Sequence, residues 1–140
     1  MTNLVSADRP FRINTGWGTD RLPAVLLCAS DGFFGYLHTP AEFEHVLLDT
    51  LMRSADPGGW ARRLADEVAG YSGDDASLSL LAAGFGGFDE LRGHFRPRAH
   101  LVATEHSQPV RAAAEQGHAA LVAARADSWS RYRPRGDSAW

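Results

Sequence analysis

Apolar and polar positions divide this chain into stretches of two different periods. Residues 24–30 (AVLLCAS) form an unbroken apolar run of strand length, which predicts a strand buried on both faces. Asp31-Gly32 closes it with a turn pair. Beyond it, Phe43, Val46, Leu47, Thr50 and Leu51 recur at helical spacing and predict an amphipathic helix. Thr39-Pro40-Ala41-Glu42 supplies its start. The threonine can cap the orphan amides, the proline sits where a missing N–H costs nothing, and the glutamate is placed for a capping box. Asp56-Pro57 repeats the cap-and-proline signal, and Trp60, Leu64, Val68 and Tyr71 make the buried stripe of a second helix. Gly70 or Gly73 is expected to end it in a left-handed conformation. The two helices read as an antiparallel pair joined by a short loop.

After Gly73 the period changes. Residues 76–85 (ASLSLLAAGF) partly alternate, and glycines 84, 86 and 87 bound them, as for a second strand. From Phe88 the pattern is helical again, first in FDELRGHF and then over about 109–127. Val110, Ala113, Ala114, Leu121 and Val122 are the apolar face of that second stretch. Residues 10–13 (PFRI) suit a short strand, followed by a loop rich in turn formers. The last thirteen residues, SWSRYRPRGDSAW, read as a frayed end.

Composition narrows the classes. A chain of 140 residues suits one domain with a real core. The net charge of −3, with no basic stripe interleaved with aromatics, argues against a nucleic-acid partner. No apolar run approaches the ~20 residues that span a bilayer, and the N-terminus lacks the order of a signal peptide. With a single cysteine, Cys28, no internal disulfide is available, and a cytoplasmic setting is expected. All fourteen basic residues are arginine, which excludes a P-loop lysine, a kinase-type lysine and a Schiff base. Cys28 lies inside an apolar strand and reads as a buried, inert thiol. His38, His45, His94, His100, His106 and His118 show no paired ligand spacing and are assigned surface or capping roles. Trp60 is assigned to the core. Trp129, Tyr132 and Trp140 are expected to pack the end of the chain against the domain or a partner, and Arg131, Arg133 and Arg135 to be a solvated cluster.

The candidate chemistry is acidic. Asp31 follows the first strand, and Asp74 and Asp75 precede the second. Ends of neighbouring strands lie close together, so these carboxylates can meet at one rim of a sheet. Converging carboxylates repel unless a cation or proton intervenes, and Mg²⁺ or Mn²⁺ suits oxygen ligands. Gly32 allows a sharp bend or a close approach to a ligand. The alternative is that these aspartates only form turns and caps.

Two motifs carry a resemblance. LLCASDGFFGYL (26–37) is similar to the second Asp-Gly motif of the metal-dependent serine/threonine phosphatases of the protein phosphatase type 2C family. SGDDASLSLLA (72–82) is similar to that family's last motif, an acidic doublet followed by a small residue, Ser/Thr and a strand. Residues 11–85 thus resemble the C-terminal half of a bacterial-type member. The resemblance implies that Asp31 is a metal ligand and that Gly32 is the motif glycine. With Ser77 in the Ser/Thr position, Asp74 is the final metal-ligating aspartate. A shift of one residue makes Asp75 the ligand instead. The fold implied is two antiparallel sheets packed face to face with helix pairs outside. The expectation for this chain is therefore α+β: a partial β-sandwich of antiparallel sheets with a flanking antiparallel helix pair and a C-terminal helical tail. Residues 1–88 would be the phosphatase-like portion and residues 89–140 the tail.

The family mechanism employs two Mg²⁺ or Mn²⁺ ions about 4 Å apart, but the motifs of the earlier half, with their acidic residues and phosphate-binding arginine, do not occur in this sequence. Weak metal binding and little independent hydrolysis of a phosphoprotein are expected, with activity restored by a complementing N-terminal half. Unpaired strand edges would favour self-association. The alternative is a non-catalytic regulatory or assembly module derived from such an enzyme.

Overall fold

A computed structural model describes residues 21–132. In chain order the elements are β1 (Ala24–Ala29), α1 (Asp31–Phe34), α2 (Pro40–Met52), α3 (Pro57–Tyr71), β2 (Leu78–Ala83), α4 (Phe88–Val102), a π-helical turn (Ala103–Ser107), α5 (Gln108–Gln116) and α6 (His118–Arg131). The helix starts follow local chemistry. The Thr39 hydroxyl accepts from the Glu42 amide at 3.1 Å, and an Asp56 carboxylate oxygen accepts from the Gly59 amide at 2.8 Å. The expected capping box closes one residue early, because the Glu42 carboxylate accepts from the His38 amide at 2.7 Å. No left-handed glycine ends α3: Gly70 and Gly73 have negative φ, and the chain leaves the helix through an extended Ser72 (φ −84°, ψ 131°).

The core forms where α2 and α3 meet. Leu48, Leu51, Trp60, Leu64 and Val68 are buried there, with Phe33 from α1 and Leu91 from α4. The Trp60 indole N–H reaches Thr50 Oγ1 at 3.1 Å, and the Thr50 hydroxyl donates to the Val46 carbonyl at 2.7 Å, so these two side chains satisfy their polar atoms inside the core.

β1 and β2 form an antiparallel pair with Ala24 opposite Ala83 and Ala29 opposite Leu78. Alternation along each strand puts Val25, Leu27 and Ala29 on one face with Leu78, Leu80 and Ala82. Val25, Ala29, Leu78 and Leu80 pack on the helical core. The opposite face is bare: Leu26 is 57% and Leu81 60% exposed. The expectation that β1 is buried on both faces is therefore corrected, and Cys28 is an exposed thiol, not a buried one. The apolar run was there, but nothing among the described residues covers its second face. The chain is α+β, with one two-stranded sheet among the described residues; a second sheet is not among them. The candidate strand at 10–13 lies outside the described residues, as do Trp140, Arg133 and Arg135. No helix among the described residues is long and apolar enough to cross a membrane.

The single helix expected over 109–127 is two helices. Gly117, at φ 113° and ψ 173°, occupies a region essentially reserved for glycine. The break resets the helical phase, and Ala114 and Val122 of the expected apolar face are exposed while Val110 and Ala113 are buried. Gly117→Ala is expected to cost about 2 kcal/mol from backbone strain alone, since nothing lies within 4 Å of the added Cβ. Urea unfolding measures it.

The π-helical turn shifts the phase again and sends His106 inward. His106 is 4% exposed, with Nδ1 3.0 Å from the hydroxyl oxygen of the equally buried Ser128. This corrects its assignment to a surface or capping role. Burial, with Arg131 and Arg98 nearby, lowers its pKa against the weaker pull of Glu105 and Glu44. Burial also lowers the pKa of His45, helped by Arg111 and opposed by Asp49 and Glu67. Both pKa values lie below the ordinary 6.5 of the unfolded chain. The folded state therefore binds fewer protons, and this stability is present above pH 6.5 and lost as pH falls through the folded values. Urea midpoints should drop on acidification below that value, and less steeply in His106→Gln.

Candidate acidic rim

The sheet ends where a side chain stands in for a carbonyl. The Ser30 amide donates to the Ser77 carbonyl at 3.0 Å, and the Ser77 amide donates back to the Ser30 hydroxyl oxygen at 2.9 Å. This extra rung fixes Asp31 and the Asp74-Asp75 doublet at the same end of the hairpin-like pair, although 43 positions separate Asp31 from Asp74 along the chain. The approach is close. A Cβ on Gly32 would overlap the carbonyl oxygen of Asp75 and lie 3.0 Å from its carbonyl carbon. Glycine is required here by backbone contact.

The end of α3 clips the two corners together. The Ser72 hydroxyl lies 2.9 Å from the Gly32 carbonyl oxygen and 3.0 Å from that of Asp74, and its single proton serves one or the other. The Tyr71 hydroxyl donates to the Phe33 carbonyl at 3.3 Å. Beneath the rim Phe33 is 2% exposed and meets Phe34 and Phe43 edge to face, each at 5.6 Å between ring centroids.

The structure thus brings Asp31, Gly32, Asp74 and Asp75 to one rim, all three carboxylates exposed. Each of two carboxylates is engaged locally through one oxygen: Asp31 Oδ1 accepts from the Gly32 amide at 3.0 Å, and Asp74 Oδ1 from the Asp75 amide at 2.8 Å. The second oxygen of each remains for water or a cation. Among the described residues no group of three or more His, Cys, Asp or Glu is arranged to hold a metal ion. The corners meet through their backbones, and their carboxylates do not assemble into a closed ligand set.

A groove of about 750 Å³ runs from this rim between β2 and α3. Ala61, Leu64, Ala65 and Val68 form one wall, Leu78 and Leu80 the other; Asp74 and Asp75 border it, and Asp31 lies outside. Sequence reasoning anticipated the acidic corners but missed Ser72, whose only signal was a hydroxyl residue just ahead of the doublet. It also missed the groove.

No family model, no curated protein and no solved structure matches this chain.

Proposed function

We propose that this chain carries part of the metal site of a type 2C serine/threonine phosphatase, and that it binds a divalent cation weakly and hydrolyses phosphoserine or phosphothreonine esters little or not at all by itself. One observation carries the reading: the two motifs that resemble the family meet at one rim, with Gly32 in backbone contact with Asp75. A second observation agrees with it. The helices cover one face of the sheet, and the opposite face bares Leu26 and Leu81, where the second sheet of a sandwich would pack.

The donor set fits a hard cation held loosely. Mg²⁺ commonly takes one or two carboxylates and keeps several waters, and Asp31 and Asp74 each have one oxygen to give. Asp75 is the alternative to Asp74. A cation there supplies a Lewis acid and a water of lowered pKa beside the phosphate. The chain's own residues do the positioning. The Ser72 hydroxyl can donate to the Gly32 carbonyl while accepting from the Asp74 amide, and the amides of Gly32 and Asp75 orient the two carboxylates. A phosphoprotein would be the substrate only with the family's N-terminal half supplied, and an exposed free thiol suits a reducing, cytoplasmic setting. That no three-residue ligand group occurs among the described residues favours a second reading, a non-catalytic module derived from such an enzyme.

Calorimetric titration with Mn²⁺ tests the site. A weak binding heat is expected, lost in Asp31→Asn and in Asp74→Asn and kept in Asp75→Asn. Loss in Asp75→Asn with Asp74→Asn unaffected would move the ligand by one residue. No heat at millimolar Mn²⁺, or a heat indifferent to Asp31→Asn, rejects the metal role and leaves the non-catalytic module.

A further inference from the structure

We infer that two copies of this chain associate through the free edge of β2 and the flank of α3, forming a four-stranded sheet with the two α3 helices side by side beneath it. The inference stands independently of the phosphatase reading.

The edge is the first ground. Hydrogen-bonded pairs alternate along an antiparallel ladder. Ser30 and Ser77 bond across it, so in the same register Cys28 pairs with Ser79 and Leu26 with Leu81 in the bonded positions. The amides and carbonyls of Leu78, Leu80 and Ala82 therefore point outward, and no third strand meets them among the described residues. Proteins guard such edges with charges, proline or bulges. Leu78–Ala83 reads LSLLAA and pairs in continuous register, with none of these. An uncharged strand can pair antiparallel with its own copy without setting like charges opposite each other.

The groove is the second ground. It lies under that same edge, lined by Leu78, Leu80 and Ala82 from β2 and by Ala61, Ala65 and Ala69 from α3. The three alanines are exposed and spaced four apart, so a second helix can approach closely.

Charge is the third ground, and it selects a second copy over another occupant. A two-fold axis through paired β2 edges runs the two α3 helices antiparallel. Arg62 and Asp66 flank the alanine row one position along, both exposed, and neither makes an ion pair with a described residue. In an antiparallel crossing centred near Leu64 and Ala65, Arg62 of each copy faces Asp66 of the other. The pattern is complementary to itself.

Light scattering on the full chain after size exclusion should read twice the 15.2 kDa chain mass. Ala65→Arg puts an unmatched charge at the centre and should raise the dissociation constant at least about a hundredfold. Ala82→Pro removes one outward amide and spares the bonds to β1, and should also favour the monomer. Arg62→Asp and Asp66→Arg, both at exposed positions that spare folding, should each weaken the dimer, and the double exchange should restore it. A wild-type chain that stays monomeric at high micromolar concentration overturns the inference, as when another segment covers the edge. So does a dimer indifferent to both Ala65→Arg and Ala82→Pro, or single exchanges that the double exchange does not rescue.

Discussion

Gly32→Ala is expected to destabilise the protein by about 3 kcal/mol and to lower its thermal midpoint by roughly 10 °C. Taken as a change within a helix, the substitution should help: alanine exceeds glycine by about 1 kcal/mol in helical propensity and restricts the unfolded chain. Contact decides the sign. The added methyl would overlap the Asp75 carbonyl oxygen and sit 3.4 Å from the Ala76 Cα. Both are backbone atoms, so no rotamer change relieves the clash. Nor can the doublet swing away freely, because Ser72 ties it to the Gly32 carbonyl. The rim must open or α1 must shift, and α1 carries Phe33 into the core. Gly70→Ala is the matched control. Nothing lies within 4 Å of its Cβ inside α3, so propensity acts alone and the variant should gain up to about 1 kcal/mol. Urea and thermal unfolding of the pair separate the two effects. An unchanged midpoint in Gly32→Ala would mean that the corners are not in contact. If Mn²⁺ binds at the rim, its heat should vanish from Gly32→Ala and persist in Gly70→Ala.

The features legible in the sequence were those set within a few residues. Thr39 and Asp56 announce their helices because a cap bonds an amide three positions on. Trp60, Leu64 and Val68 announce a buried face because helical spacing aligns them. The meeting of Asp31 with the doublet was also legible, since two strands of equal length flanking a helix pair return their ends to one place. Hydrophobic pattern could not say whether anything covers an apolar residue. Cys28 and Leu26 looked buried and are exposed for want of a neighbour on that face. Ser72 overrode the glycines on either side of it as the end of α3 because its partners lie 40 positions away at Gly32 and two away at Asp74. The π-helical turn and the Gly117 break shift helical phase without changing composition, so a surface or capping role was assigned to His106, which is buried.

Glu44→Ala is expected to cost about 2 kcal/mol, between the loss of an exposed ion pair and that of a fully buried one. Surface pairs such as Arg53 with Asp49, with side chains 56% and 40% exposed, contribute little because water screens them. Glu44 differs in burial and in the number of partners. Arg98 Nε donates to Oε1 at 2.7 Å and its Nη2 to Oε2 at 2.6 Å, while the Tyr132 hydroxyl donates to Oε2 at 2.9 Å. The guanidinium carbon lies 5.5 Å from the centroid of the Tyr132 ring. One carboxylate on α2 therefore anchors α4 and the residue that follows α6. Without it the Arg98 side chain, 15% exposed, keeps its charge and loses its counterion.

Tyr132 supplies an independent readout. Burial first, and then the charge and hydrogen bond of Glu44, push its pKa up to about 12, against the opposing pull of Arg98. A raised folded pKa means that the folded state holds the proton longer. The corresponding stability is complete below the unfolded value of 10.0 and is lost as pH rises through about 12. In Glu44→Ala only burial still opposes the lowering effect of Arg98, so the tyrosine should titrate closer to its ordinary value and the alkaline loss of stability should shrink. Glu44→Gln should fall between, since it keeps an acceptor and surrenders the charge. Tyrosinate absorbance, assigned with Tyr132→Phe, follows the titration while urea midpoints follow stability. If neither moves in Glu44→Ala, this carboxylate does not hold the C-terminal helices to the core.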